Sequence, residues 1–108
     1  MNDPAIVFNA ILTELPDEVP KCGDIKVAVA YKFRINKKSS KSKNKILIAI
    51  VKCPEFLGEN FFIAGKEYHL SVCKDDSESL TYTLFNIYDN EENTWWVADI
   101  KIISEIEI

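Results

Sequence analysis

The sequence predicts a mainly β protein, a small five-stranded antiparallel barrel or tightly curled sheet. Three observations predict it. Residues 25 to 35 alternate apolar and polar with period two, residues 46 to 51 form an unbroken apolar run, and turn-rich segments recur between such stretches to the end of the chain. At 108 residues, 47% of them hydrophobic, the chain suits one domain with one core. The pattern divides it into an N-terminal segment, residues 1 to 24, packing on a single barrel domain, residues 25 to 108.

The opening stretch reads two ways. Asp3-Pro4 supplies an N-cap and first-turn pair, and Asn9 and Thr13 would share one helical stripe. Ile6-Val7-Phe8 favours a strand. The balance tilts to a short helix, with a strand as the alternative. Pro16 and Pro20 then bracket an acidic linker that turns at Gly23-Asp24.

Ile25, Val27, Val29, Tyr31, Phe33 and Ile35 alternate with polar or small residues, which predicts a strand with one face buried. Ile46 to Val51, apolar throughout and stopped by Pro54, predicts a strand covered on both faces. Tyr68, Leu70 and Val72 give a third. Leu80 to Tyr88, rich in Thr, Tyr and Phe, gives a fourth whose alternation slips near Phe85. Trp96, Ala98, Ile100 and Ile102 open a fifth, and Ile106 to Ile108 continues it. Short links make the last three strands antiparallel hairpins. Glu59 to Ile63 is expected to form one helical turn plugging an end of the barrel, its two Phe inward. The arrangement is OB-like, except that the turn falls between the second and third strands rather than the third and fourth.

A net charge of −4 disfavours a dedicated nucleic-acid binder. Seven of the thirteen basic residues nevertheless fall between Lys32 and Lys45. Lys37, Lys38, Lys41, Lys43 and Lys45, interleaved with serines, form a loop able to contact phosphates or an acidic partner. No apolar run is long enough for a membrane-spanning helix. No export signal is visible at residues 1 to 20, and the compartment stays open.

Three cysteines, Cys22, Cys53 and Cys73, allow one disulfide in any of three pairings, or three thiols; no C-x-x-C pair exists. His69 and Cys73 would meet on a helix, but on a strand they stand roughly 13 Å apart, too far for proton transfer. Gly58 and Gly65-Lys66 lack phosphate-loop spacing, and the acidic clusters 75–78 and 89–92 lack the spaced ligands of a calcium loop. No cofactor is implied. Trp95 shares parity with Val97, Asp99 and Lys101 and is expected outside, as an exposed anchor or equally under the N-terminal segment, with Trp96 in the core.

Cys53-Pro54-Glu55-Phe56 and then Gly65-Lys66-Glu67-Tyr68 resemble the netrin-like module, the OB-fold domain shared with tissue inhibitors of metalloproteinases, over residues 25 to 73. The resemblance implies a barrel. It does not carry inhibition, because those inhibitors begin with the zinc-binding cysteine and this chain has Met1 there and its first cysteine at 22. The function expected is a non-enzymatic interaction module for a protein partner. The alternative is single-stranded nucleic-acid binding through the lysine loop and a barrel face.

Overall fold

The structure, a computed structural model, describes residues 6–35, 46–58, 60–74, 79–88 and 94–103. Lys37, Lys38, Lys41, Lys43 and Lys45, Asp3-Pro4, the two acidic clusters and Ile106 to Ile108 lie outside them. Six strands are formed among the described residues: β1 (Ile6–Glu14), β2 (Val27–Ile35), β3 (Ile46–Lys52), β4 (Glu67–Cys73), β5 (Thr83–Phe85) and β6 (Thr94–Ile102). Among the described residues no helix is long and apolar enough to cross a membrane.

Five strands close a barrel in the order β1-β2-β3-β6-β4, returning to β1. It is mixed rather than wholly antiparallel: β3 and β6 run parallel, and the other barrel pairs antiparallel. The opening segment resolves as a strand. It pairs with β4 through Ile6 to Ile11 and with β2 through Ala10 to Glu14, so it belongs to the barrel wall rather than lying upon it. The Asn9–Thr13 spacing misled because four residues return to the same side of a strand as well as of a helix. With β1 counted, the connector between β3 and β4 falls between the third and fourth barrel strands, and the OB-like order is complete.

The connector differs in place from the turn expected at 59 to 63. Its 3-10 turn spans Pro54–Leu57, where proline fixes the first position. Phe61 and Phe62 do point inward and pack against the core.

The segment expected as the fourth barrel strand instead makes a short 3-10 turn, Ser79–Thr81, and β5. β5 pairs parallel with Val27 to Val29 of β2. The far half of β2 pairs with β1. One strand edge is thus shared by two neighbours, and β5 fills the split that opens between β1 and β2.

The barrel interior obeys the alternation: Leu12, Val29, Tyr31, Phe33, Leu47, Tyr68, Leu70 and Val72 have at most 1% of their surface exposed. A second apolar cluster lies outside β2 and β3, where Ala28, Ala30, Ile48 and Ile50 are covered by Tyr88, with Ile46, Tyr82 and Trp96 packed on its rim. This covering explains why β3 reads as apolar throughout.

The tryptophans reverse the expected assignment. The β4–β6 register slips between Ser71 and Val72, leaving Ala98 as an extra residue on β6. A bulge of one residue inverts every side chain beyond it. Trp95 therefore packs against the barrel core with Val97, and Trp96 joins the outer cluster.

Candidate barrel-end site

The described residues gather their polar and strained features at the barrel end closed by the β1–β2 linker and the β3–β4 connector. Cys53, directly after β3, has φ 44°, a left-handed conformation uncommon for a residue with a side chain. It turns the chain into Pro54 and forms a disulfide with Cys22 of the linker, their Cα atoms 5.4 Å apart. The bridge encloses a separation of 31 residues, worth about 3–4 kcal/mol on the chain-entropy account. Of the three pairings the cysteines allow, the structure has Cys22–Cys53, and Cys73 is a free thiol on β4.

Glu55 stands beside this bridge. One carboxylate oxygen, Oε2, accepts the Cys22 N–H at 2.9 Å. The other, Oε1, is buried with no hydrogen-bond partner among the described residues. The Val27 N–H donates to Cys22 Sγ at 3.2 Å. The Sγ atoms and a Glu55 oxygen all lie within 4.8 Å of one another.

An aromatic group closes the barrel beneath them. Tyr31 stacks on Phe62 with ring centroids 4.0 Å apart, an arrangement worth about 0.5–1.5 kcal/mol beyond its burial. Tyr68 meets Phe33 edge to face. Its hydroxyl donates to the Phe61 carbonyl and accepts the Ile63 N–H. This pins the connector, whose return into β4 passes through Gly65 at φ 98°, a conformation glycine adopts without strain. Burial pushes the Tyr31 phenol well above its ordinary pKa, helped by the charge of Glu55 and by the neighbouring Tyr88 and Tyr68. Tyr68 is raised by burial too, opposed by the Ile63 hydrogen bond.

Two hollows flank the Pro54–Leu57 turn. The larger, about 420 Å³, lies between linker and connector and is lined by Leu15, Val19, Lys21, Tyr31, Glu55 and Phe62 among others. The smaller, about 250 Å³, runs from Phe56 and Leu57 to Val97 and Ile100 beside the β6 bulge. Phe56, on the wall of the smaller hollow, projects with 80% of its surface exposed.

Other sequence candidates fall elsewhere. Trp95 meets Phe8 edge to face, and the Lys74 ammonium sits 4.6 Å from its ring centroid. His69 lies on the outer surface of β4, its Nδ1 2.8 Å from Asn9 Oδ1. It shares that extended strand with Cys73, four residues on. Glu55 and Phe56 were missed as site residues; the signal for them was the Cys-Pro pair, which ends a strand and starts a turn. Scans of family models, of curated proteins and of solved structures find nothing that matches this chain.

Proposed function

We propose that the protein is a non-enzymatic interaction module that binds a protein partner at this barrel end. The observation that carries the reading is Phe56, standing 80% exposed on a turn whose residues line two hollows. An exposed aromatic side chain at the edge of concave ground is the form of an interface anchor, and aromatic side chains are enriched among the few residues that dominate binding energy. The turn is well built for it. Pro54 at its start and the nearby disulfide hold the turn rigid, which reduces the entropy lost on association. A partner suited to this surface offers apolar side chains to the hollows and polar groups to Lys21, Lys52 and Asp99 on their walls.

Nucleic-acid binding across the barrel has less support. OB folds bind oligonucleotides on the face of their second and third strands, and here Tyr82, Tyr88 and Trp96 of the chain itself occupy that ground.

The test places a photo-crosslinking phenylalanine analogue at position 56, with a control at exposed Lys101 on β6. Position 56 is expected to yield a discrete adduct in extracts of the source cells, absent from position 101. Excess unlabelled wild-type protein should compete, and Phe56→Ser protein should not. Equal labelling at both positions, or equal competition by Phe56→Ser, removes the reading.

A further inference from the structure

We propose that reduction of the Cys22–Cys53 bridge creates a zinc site, with the two thiolates and the Glu55 carboxylate as protein ligands. The inference does not depend on the partner-binding reading, although it uses the same disulfide and the hollow that Glu55 lines.

Four observations carry it. The three ligand groups already share one spot, all within 4.8 Å. In a tetrahedral site with zinc–sulfur bonds of about 2.3 Å the two sulfurs stand about 3.8 Å apart. The ligands thus need only a local opening of the sulfur pair. Second, Glu55 Oε1 is buried with no hydrogen-bond partner among the described residues. A buried acceptor in that state is costly, and a cation beside it removes the cost. Third, the Val27 N–H donates to Cys22 Sγ at 3.2 Å, nearer than the Val27 carbonyl oxygen at 3.4 Å, and favours negative charge on that sulfur once it becomes a thiolate. Fourth, Glu55 also lines the 420 Å³ hollow, so one of the three ligand groups borders open space. Two soft sulfurs and one carboxylate are a donor set that zinc accepts, and three protein ligands with one open position is a recurrent zinc arrangement.

The chemistry balances in two steps. A phosphine reductant takes an oxygen atom from water and becomes the phosphine oxide, while the disulfide gains two electrons and two protons and becomes two thiols. Zinc then displaces both thiol protons to solvent and binds the two thiolates together with the Glu55 carboxylate. Reoxidation of the thiols by a disulfide oxidant releases the metal.

The experiment uses the full chain carrying Cys73→Ser, which removes the third thiol. The protein is reduced with the phosphine, freed of it without air, and titrated with cobalt(II) as a spectroscopic stand-in, then with zinc. One cobalt per chain is expected, with a sulfur-to-cobalt charge-transfer band and the intense visible bands of four-coordination, all displaced by zinc. The oxidised protein should take up none. Cys22→Ser or Cys53→Ser should abolish the charge-transfer signature or halve it. Glu55→Gln should weaken zinc binding by at least about tenfold, since loss of even outer-shell partners costs 10–100-fold. Zinc should also shield Cys22 and Cys53 from alkylation, read by mass spectrometry whether or not a variant keeps its strands. A reduced protein that takes up no metal overturns the proposal. Unchanged affinity in Glu55→Gln overturns the assignment of that ligand.

Discussion

The two apolar clusters on either side of β2 and β3 are built differently. Inside, five strands contribute large side chains: Leu12, Tyr31, Phe33, Leu47, Leu70 and Ile100 interlock within a closed wall. Outside, β2 presents only Ala28 and Ala30, and one crossing segment supplies the Tyr88 that covers them. The small residues let that segment lie close to the strand, and its three-residue β5 holds it by a short parallel ladder. The inner cluster thus makes the barrel, whereas the outer one attaches a strap to a barrel already complete. Local opening should obey the same division, with the strap first.

Four changes sharpen or break that contrast, and the largest is inside. Phe33→Ala should cost about 3–5 kcal/mol in urea unfolding, the range for emptying an aromatic site in a packed core. Outside, Ala30→Leu should cost about 1–3 kcal/mol by overpacking. Amide exchange then localises the damage: Thr83 to Phe85 should lose protection while β4 keeps it. Equal loss in both would make the two clusters one cooperative unit.

Alkali gives a third comparison. Burial raises the Tyr31, Tyr68 and Tyr88 phenols above their ordinary value near 10. The unfolded chain therefore releases these protons first, and stability present below about pH 10 is lost as pH climbs through the folded values. The shift is greatest at Tyr31, so Tyr31→Phe should flatten the alkaline limb of a stability–pH curve more than Tyr88→Phe does. The smallest effect is Tyr88→Phe at neutral pH. It removes a buried hydroxyl that has no hydrogen-bond partner among the described residues and keeps the ring beneath the Lys32 ammonium. Unfolding stability should stay equal or rise by up to about 1 kcal/mol. A loss greater than that would reveal a partner for the hydroxyl.

The same contrast explains what the sequence made legible. β2 could be read directly as a strand from its alternation, but not as one with a single buried face, since Ala28 and Ala30 are covered on the outside as well. β3 was equally plain, and its apolar run announced a second covering layer without saying what supplied it. The strap escaped recognition because Thr, Tyr and Phe favour a strand wherever one is available, and only the three-dimensional split between β1 and β2 limits that strand to three residues. β1 was ambiguous because its polar spacing suits helix and strand alike. The tryptophan assignment failed at Ala98, since a bulge leaves no mark in a pattern of alanine and valine. Of the site, Tyr31 was correctly read as buried and the three cysteine pairings stood open. Glu55 could not be found by parity, because it lies in a turn and its importance comes from Cys22, distant in sequence.

The sharing of one β2 edge between β1 and β5 has a consequence for crowded solutions. Should the strap lift, Val27 to Val29 would present bare amides and carbonyls next to apolar ground, a template that any extended peptide can complete. The nearest identical peptide is residues 83 to 85 of a neighbouring molecule. Exchanged straps would then join two copies in which every native pairing is kept and only the owner of β5 has changed.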